Sequence, residues 1–249
     1  MKNCEYILVE DDFKTILVPK RIMVLAGHPD DEIISCGGTL LKYQELGSEI
    51  IIVLGTYGLG GYSEISKKDK IKDIRDNELE TISQVLNWKY INLGYENLDI
   101  DREKISSVTK LILKEKPHII LAPHFKDIHR IHRNFSYIIR ESIYHCSLGN
   151  TYGLQNNLWI PFGFYYYETP SCKFKDIYAS SFIIVDINNY LNQKIQILNN
   201  YYKSQKFLID KISNWMINTA SLRGSEINKK FGEAYIPDTI YSPLKLVLY

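Results

Sequence analysis

The stretch LAGHPDDEIISCGG, residues 25–38, sets a histidine, a proline and three consecutive acids directly behind the apolar run IMVLA. Solvated loops are often acidic, but they seldom bring His28, Asp30 and Asp31 to the tip of a buried strand. His28 and Asp31 are three residues apart, and the chain turns into a helix at Asp31. That spacing can aim an imidazole and a carboxylate at one point, and both are good zinc ligands. Asp30 lies between them, directed elsewhere and free to act on a water. A structural reading competes: Asp30 or Asp31 as the N-cap, His28 as a turn residue, and acids set against the positive end of the helix.

A second cluster, PHFKDIHRIH at 123–132, follows a later apolar run and carries His124, Asp127, His129 and His132. Three of the six histidines fall within it. Joined, the clusters offer His28, Asp31 and one later histidine as three protein ligands. Spacing does not choose among His124, His129 and His132. Three ligands leave a coordination position open for water, which marks a catalytic zinc more than a structural one. Zinc so held lowers the pKa of its water to about 7 and polarises a carbonyl. A free carboxylate nearby can take the water's proton. His118, at a strand start, and His145, at a helix end, read as structural.

The two clusters meet only if the fold brings strand ends together. RIMVLA (21–26), EIIIVL (49–54), KYINL (89–93) and HIILAP (118–123) read as strands buried on both faces. Between them, 31–46, about 68–87 and about 102–115 carry helical periodicity. Ile131, Phe135, Ile138, Ile139 and Ile143 share one face of a helix over 131–146. FGFYYYE (162–168) and SFIIVDI (181–187) are later strands, followed by helices at about 187–203 and 205–220. The alternation predicts an α/β fold: a Rossmann-like, doubly wound, mostly parallel sheet with helices on both faces. In the order 3-2-1-4, strands one and four adjoin at the topological switch point, and ligands bind outside their carboxyl ends. The polar clusters follow those two strands.

The 249 residues suit one domain, with 1–18 as an extension containing a hairpin at YILVEDDFKTILV. Thirty basic against 29 acidic residues leave a net charge of +1, which favours neither nucleic acid nor an anionic membrane. No apolar run approaches the ~20 residues of a membrane span. The N-terminus MKNCEYILVEDDFK lacks the apolar stretch of a secretory signal. Four cysteines without a CxxC pair read as buried thiols of a cytoplasmic protein. The 19 tyrosines, which could stack on sugar rings, accompany abundant Ile, Lys and Asn and read first as compositional bias.

GHPDDEIISCGGTL followed by the His-x-x-His stretch resembles the LmbE/PIG-L family of zinc-dependent N-acetylglucosaminyl deacetylases. RDNELE (75–80) is similar to that family's Arg-x-x-Glu helix, and LRGSEINKKFGEAY (222–235) to its C-terminal segment. The resemblance implies that His28, Asp31 and His132 hold the metal, with iron(II) compatible with the same donors. It implies Asp30 as general base and His129 as a stabiliser of the tetrahedral oxyanion. The implied substrate is an N-acetyl sugar or sugar conjugate, losing acetate; association of identical copies is compatible with this. Two positions depart from the family pattern. Ile131 stands where an aspartate often orients the first histidine, leaving Asp127 to take that part. Asn97, with Glu96 and Asp99 close by, stands where many members carry an acidic sugar-binding residue.

The loop GTYGLGGY (55–62) suggests close backbone approach to a ligand or a lid. Arg75 and Arg223 are candidate anchors for sugar hydroxyls or an anionic aglycone. Two other classes compete with a deacetylase: a non-catalytic binding protein, motivated by Ile131, and a nucleotide- or methyl-donor-dependent transferase using the glycines of 55–62.

Overall fold

β-Branched and leucine-rich segments pair here into a mostly parallel sheet whose two faces are both covered. A computed structural model describes residues 6–11, 14–60, 70–149, 152–153, 157–177 and 182–241. Its main sheet has seven strands in the order β5-β4-β3-β6-β7-β9-β8, where β3 is Arg21–Ala26, β4 Glu49–Thr56, β5 Lys89–Tyr95, β6 Ile119–Pro123, β7 Gly163–Tyr167, β8 Ile183–Asp186 and β9 Gly232–Pro237. Strands β5, β4, β3, β6 and β7 run parallel, while β9 is antiparallel to both β7 and β8. Tyr6–Asp11 (β1) pairs with Lys14–Pro19 (β2) as the expected hairpin, in a sheet of its own; residues 12–13 of that stretch lie outside the described residues.

Strand periodicity divides the core. Ile22, Val24 and Ala26 of β3, with Ile50, Ile52 and Leu54 of β4, face one side. There they pack on α1 (Asp31–Glu45), α2 (Ile71–Leu86), α5 (Leu191–Tyr201) and α6 (Lys206–Ser225). Met23, Leu25, Ile51 and Val53 face the other side, against α3 (Arg102–Glu115) and α4 (Arg130–Leu148). In α1, Gly38 is required by packing: a Cβ there would lie 2.9 Å from three side-chain carbons of Ile187.

The doubly wound, mostly parallel α/β fold and the order 3-2-1-4 of its first four sheet strands agree with the expectation. Three details differ. β5, expected to be buried on both faces, is an edge strand with half-buried side chains. Of the strand expected over 181–187, residue 181 lies outside the described residues and the strand observed covers 183–186, with the following helix starting at Leu191. β9 is an additional strand, and its inward-facing Glu233 explains why no apolar alternation announced it. That carboxylate is buried against Lys194 Nζ at 2.6 Å and accepts the Gly38 and Thr39 amides at 3.0 and 2.7 Å. Cys36, Cys146 and Cys172 are buried thiols. No helix among the described residues is long and apolar enough to cross a membrane.

Candidate metal centre

β3 and β6 are parallel neighbours, and the chain leaves them in opposite directions, so the segments after Ala26 and after Pro123 share one crevice. The first segment is tightly held. The Thr56 backbone N–H and Oγ1 both donate to the Gly27 carbonyl, at 3.1 and 2.9 Å. The Tyr167 hydroxyl donates to the Leu25 carbonyl at 3.1 Å. Gly27 itself must be glycine, because a Cβ would come within 2.8 Å of the His132 ring.

Asp30 is the N-cap residue of α1 by its backbone, whose carbonyl accepts the Ile33 and Ile34 amides at 3.0 and 2.9 Å. Its side chain makes no capping bond and lines the cleft above the strand ends. Its φ of 108° and ψ of −28° are unusual for a residue other than glycine, a strain of about 1–3 kcal/mol that persists only where surroundings enforce it. Burial raises its carboxyl well above the ordinary value; Asp31 and Glu32 add to this, while Arg75 and His132 oppose it.

Asp31, His28 and His132 converge. His28 Nδ1 lies 3.3 Å from Asp31 Oδ2, His132 Nε2 lies 3.1 Å from the same oxygen, and the two nitrogens are 3.2 Å apart. A tetrahedral ion with ligand bonds of ~2.0–2.1 Å places its ligand atoms ~3.3 Å from one another, so the triangle fits. Its electrostatics fit as well. Burial alone would depress His132, yet Asp31 and Asp127 outweigh it and raise the imidazole to about 10. Burial likewise opposes the ionisation of Asp31, but His132 and His28 hold it well below the ordinary carboxylate value. This corner of the fold favours positive charge.

α4 supplies His132 in its first turn and His129 at its N-cap. Asp127 Oδ2 lies 2.9 Å from His132 Nδ1 and accepts the Thr169 hydroxyl at 2.7 Å. A proton held on Nδ1 leaves the Nε2 lone pair toward His28 and Asp31, the arrangement in which a carboxylate fixes a metal-binding histidine. Asp127 was expected to orient the His129 ring. Instead its Oδ1 accepts only the His129 backbone N–H, at 2.8 Å, because the imidazole projects into the open cleft. His129 is exposed, its ring centroid 4.9 Å from that of His28 and 4.6 Å from that of His132. Ligand atoms of His28, His129 and His132 all lie within 4.8 Å of one another. Desolvation, with His132 and His28 adding, lowers the His129 pKa, so its ring is neutral near pH 7.

The cleft measures 820 Å³ and is lined further by Tyr57, Gly58, Arg75, Tyr95 and Glu96. Arg75 is buried and donates to the Tyr57 carbonyl at 2.5 Å. Gly58, at φ 62°, crosses above it, and an added Cβ would strike the Arg75 guanidinium. The rest of the glycine loop, residues 61–62, lies outside the described residues.

Two expected anchors are placed elsewhere. Asn97 turns back to accept the Asp99 amide at 3.0 Å, and its neighbour Glu96 lines the cleft instead. Arg223 is absorbed by a two-pronged pair with Glu168, both contacts 3.0 Å, and a 2.8 Å bond to Glu226. It is buried at the end of α6, away from the cleft lining. His124 is also buried outside the cluster, accepting the Lys126 amide at 3.1 Å, and desolvation lowers it to about 4. Thr56, Thr169 and Glu32 all support the site without having been singled out in the sequence. Glu32, inside the HPDDE run, carried the only signal, and there it was indistinguishable from an acid serving the helix dipole.

Comparison with known proteins agrees with this geometry. Residues 23–143 match the family described as PIG-L, GlcNAc-PI de-N-acetylase. A diacetylchitobiose deacetylase of Thermococcus kodakarensis is 28% identical over 165 residues, covering 61% of this chain and 62% of the relative; the chain thus spans under two thirds of that relative's length. Among solved structures, N,N'-diacetylchitobiose deacetylase from Pyrococcus horikoshii superposes with a TM-score of 0.75 at 24% identity, over 88% of this chain and 84% of that one. A 4-carboxy-2-hydroxymuconate hydratase of Pseudomonas putida superposes with a TM-score of 0.72 at 16% identity, over 88% and 95%. These likenesses show the fold.

Proposed function

We propose, on the match of residues 23–143 to the PIG-L family, that the chain is a metal-dependent N-deacetylase. It removes the acetyl group from an N-acetylated amino sugar or sugar conjugate, releasing acetate and a free amine. A fold shared with a hydratase does not select the reaction, so the reading leans on the site. The observation that carries it is the 3.1–3.3 Å triangle of His28 Nδ1, Asp31 Oδ2 and His132 Nε2, with the uncommitted Asp30 carboxylate lining the same cleft.

Those three atoms would hold a divalent ion, zinc by preference and iron(II) by donor type. When bound, such an ion polarises the amide carbonyl and acidifies a water. Asp30 takes the proton of the attacking water and delivers it to the amide nitrogen as the C–N bond breaks. His129, neutral, donates an N–H to the carbonyl oxygen as that atom gains charge. Arg75 braces the Gly58 turn from below. The Tyr57 and Tyr95 rings offer flat faces to a sugar, and the similarity to a diacetylchitobiose deacetylase supports a sugar substrate. The chain acts as one domain with residues 1–18 as an extension, and its buried thiols suit a reducing cytoplasm.

Metal analysis of the purified protein, paired with an amine-release screen, tests the reading. The screen should include N-acetylglucosamine, diacetylchitobiose and nucleotide- and lipid-linked N-acetylglucosamine. The expected result is about one divalent ion per chain and acetate release that a chelator abolishes. Stoichiometric metal and tight N-acetyl-sugar binding without any acetate release would establish a binding protein instead.

A further inference from the structure

Glu32 takes no part in the chemistry described above, and it does not line the cleft. Its side chain is completely buried beneath the His28–Asp31 turn. One carboxylate oxygen, Oε2, accepts the backbone N–H of Asp30 at 3.2 Å. The other, Oε1, accepts the Tyr90 hydroxyl at 3.0 Å and the Tyr202 hydroxyl. Tyr90 belongs to β5 and Tyr202 caps the C-terminus of α5. The bonds thus tie the turn to two elements distant in sequence.

Asp30 needs such a tie. Its backbone sits at φ 108° without being glycine, and a residue keeps that conformation only where its surroundings enforce it. The peptide on its C-terminal side is fixed by the Ile33 and Ile34 amides of α1. The peptide on its N-terminal side presents the N–H that Glu32 captures. We infer that Glu32, braced by Tyr90 and Tyr202, is a positioning residue that holds the Asp30 carboxylate over the metal-binding triangle. The inference rests on the reading of Asp30 as the general base.

Kinetics and crystallography of five variants test it. Glu32→Leu removes every acceptor and lowers kcat about 100-fold, with KM and metal content as in the wild type. Glu32→Gln, whose carbonyl can still accept the Asp30 amide, recovers kcat to within roughly tenfold of wild type. In an Asp30→Asn background, Glu32→Leu costs less than about twofold more, because no base remains to be positioned. Tyr202→Phe keeps the ring and loses one brace; its several-fold fall in kcat covers the case in which Glu32→Leu does not fold. Unchanged kcat per metal-loaded chain in Glu32→Leu, or in Tyr202→Phe where Glu32→Leu does not fold, would overturn the inference. So would an equal loss with and without the Asp30 carboxylate. A crystal structure adds a readout independent of turnover: Asp30 should leave positive φ in Glu32→Leu, and an unmoved Asp30 overturns the role. Should the wild type deacetylate nothing, the proposed function fails while the crystal structure still decides what Glu32 holds.

Discussion

Helix α1 meets one buried ionic cluster at its first turn and another at its middle, and the two are built differently. At the middle, the Glu233 carboxylate accepts the Gly38 and Thr39 amides, the Thr39 hydroxyl at 2.6 Å and Lys194 Nζ at 2.6 Å. One charge meets one opposite charge, the oxygens are surrounded by donors, and the void beside them is only 20 Å³, room for about one water. At the first turn, Asp31, His28 and His132 aim lone-pair atoms at one another on the edge of an 820 Å³ cleft. The mid-helix cluster closes on itself and holds β9, α1 and α5 together. The first-turn cluster balances only when a proton or a cation stands among its atoms, which is the imbalance behind the high pKa of His132. Buried charge is thus a fastener in one place and a receptor in the other, and what separates them is whether the partners arrive with the chain.

Substitutions can break or sharpen that contrast. The largest expected effect is at Asp30→Ala: kcat falls about 10³-fold while elemental analysis finds wild-type metal content. Metal lost along with activity would instead assign Asp30 to the ligand set. Next is Lys194→Met, which strands the buried Glu233 carboxylate. Chemical denaturation should show a loss of about 3–5 kcal/mol, with metal affinity and kcat per folded chain unchanged; a changed metal affinity would mean that the clusters are coupled. Asp127→Asn keeps the bulk beside His132 and weakens the grip on its Nδ1. Competition with a chelator should report ~10–100-fold weaker metal binding, and an unaltered affinity would make Asp127 a loop fastener only. The smallest effect belongs to Asn97→Ala, since that side chain closes its own turn. Its kcat/KM for an N-acetyl sugar should stay within about twofold of wild type, at a stability cost of ~0.5–1.5 kcal/mol; a tenfold rise in KM would return Asn97 to the substrate.

Much of this was legible in the order of residues because periodicity and strand ends are local properties. RIMVLA, EIIIVL and HIILAP read as central strands and are central, since apolar side chains on both faces leave a strand no exposed position. The HPDDE run and the histidines after the fourth strand pointed to one crevice for the same reason. The failures share a cause too. Glu233 hid β9 because its charge is cancelled by a residue 39 positions away. Arg223 looked like an anchor because nothing local reveals Glu168, 55 residues back. Asn97 and Glu96 are adjacent, and only the turn closed by Asp99 decides which of them faces the cleft.

By itself, the amino-acid sequence determined the α/β class, the strand order around the switch point and the residue types gathered at its tip. Those follow from hydrophobic period and from chain direction. Spacing left open which imidazoles converge, and tertiary structure decided that, together with which carboxylate is spent on a cap or an ion pair and which is left facing the cleft. Such choices depend on separations of about three ångströms between residues far apart in the chain, and no local pattern encodes a distance of that kind.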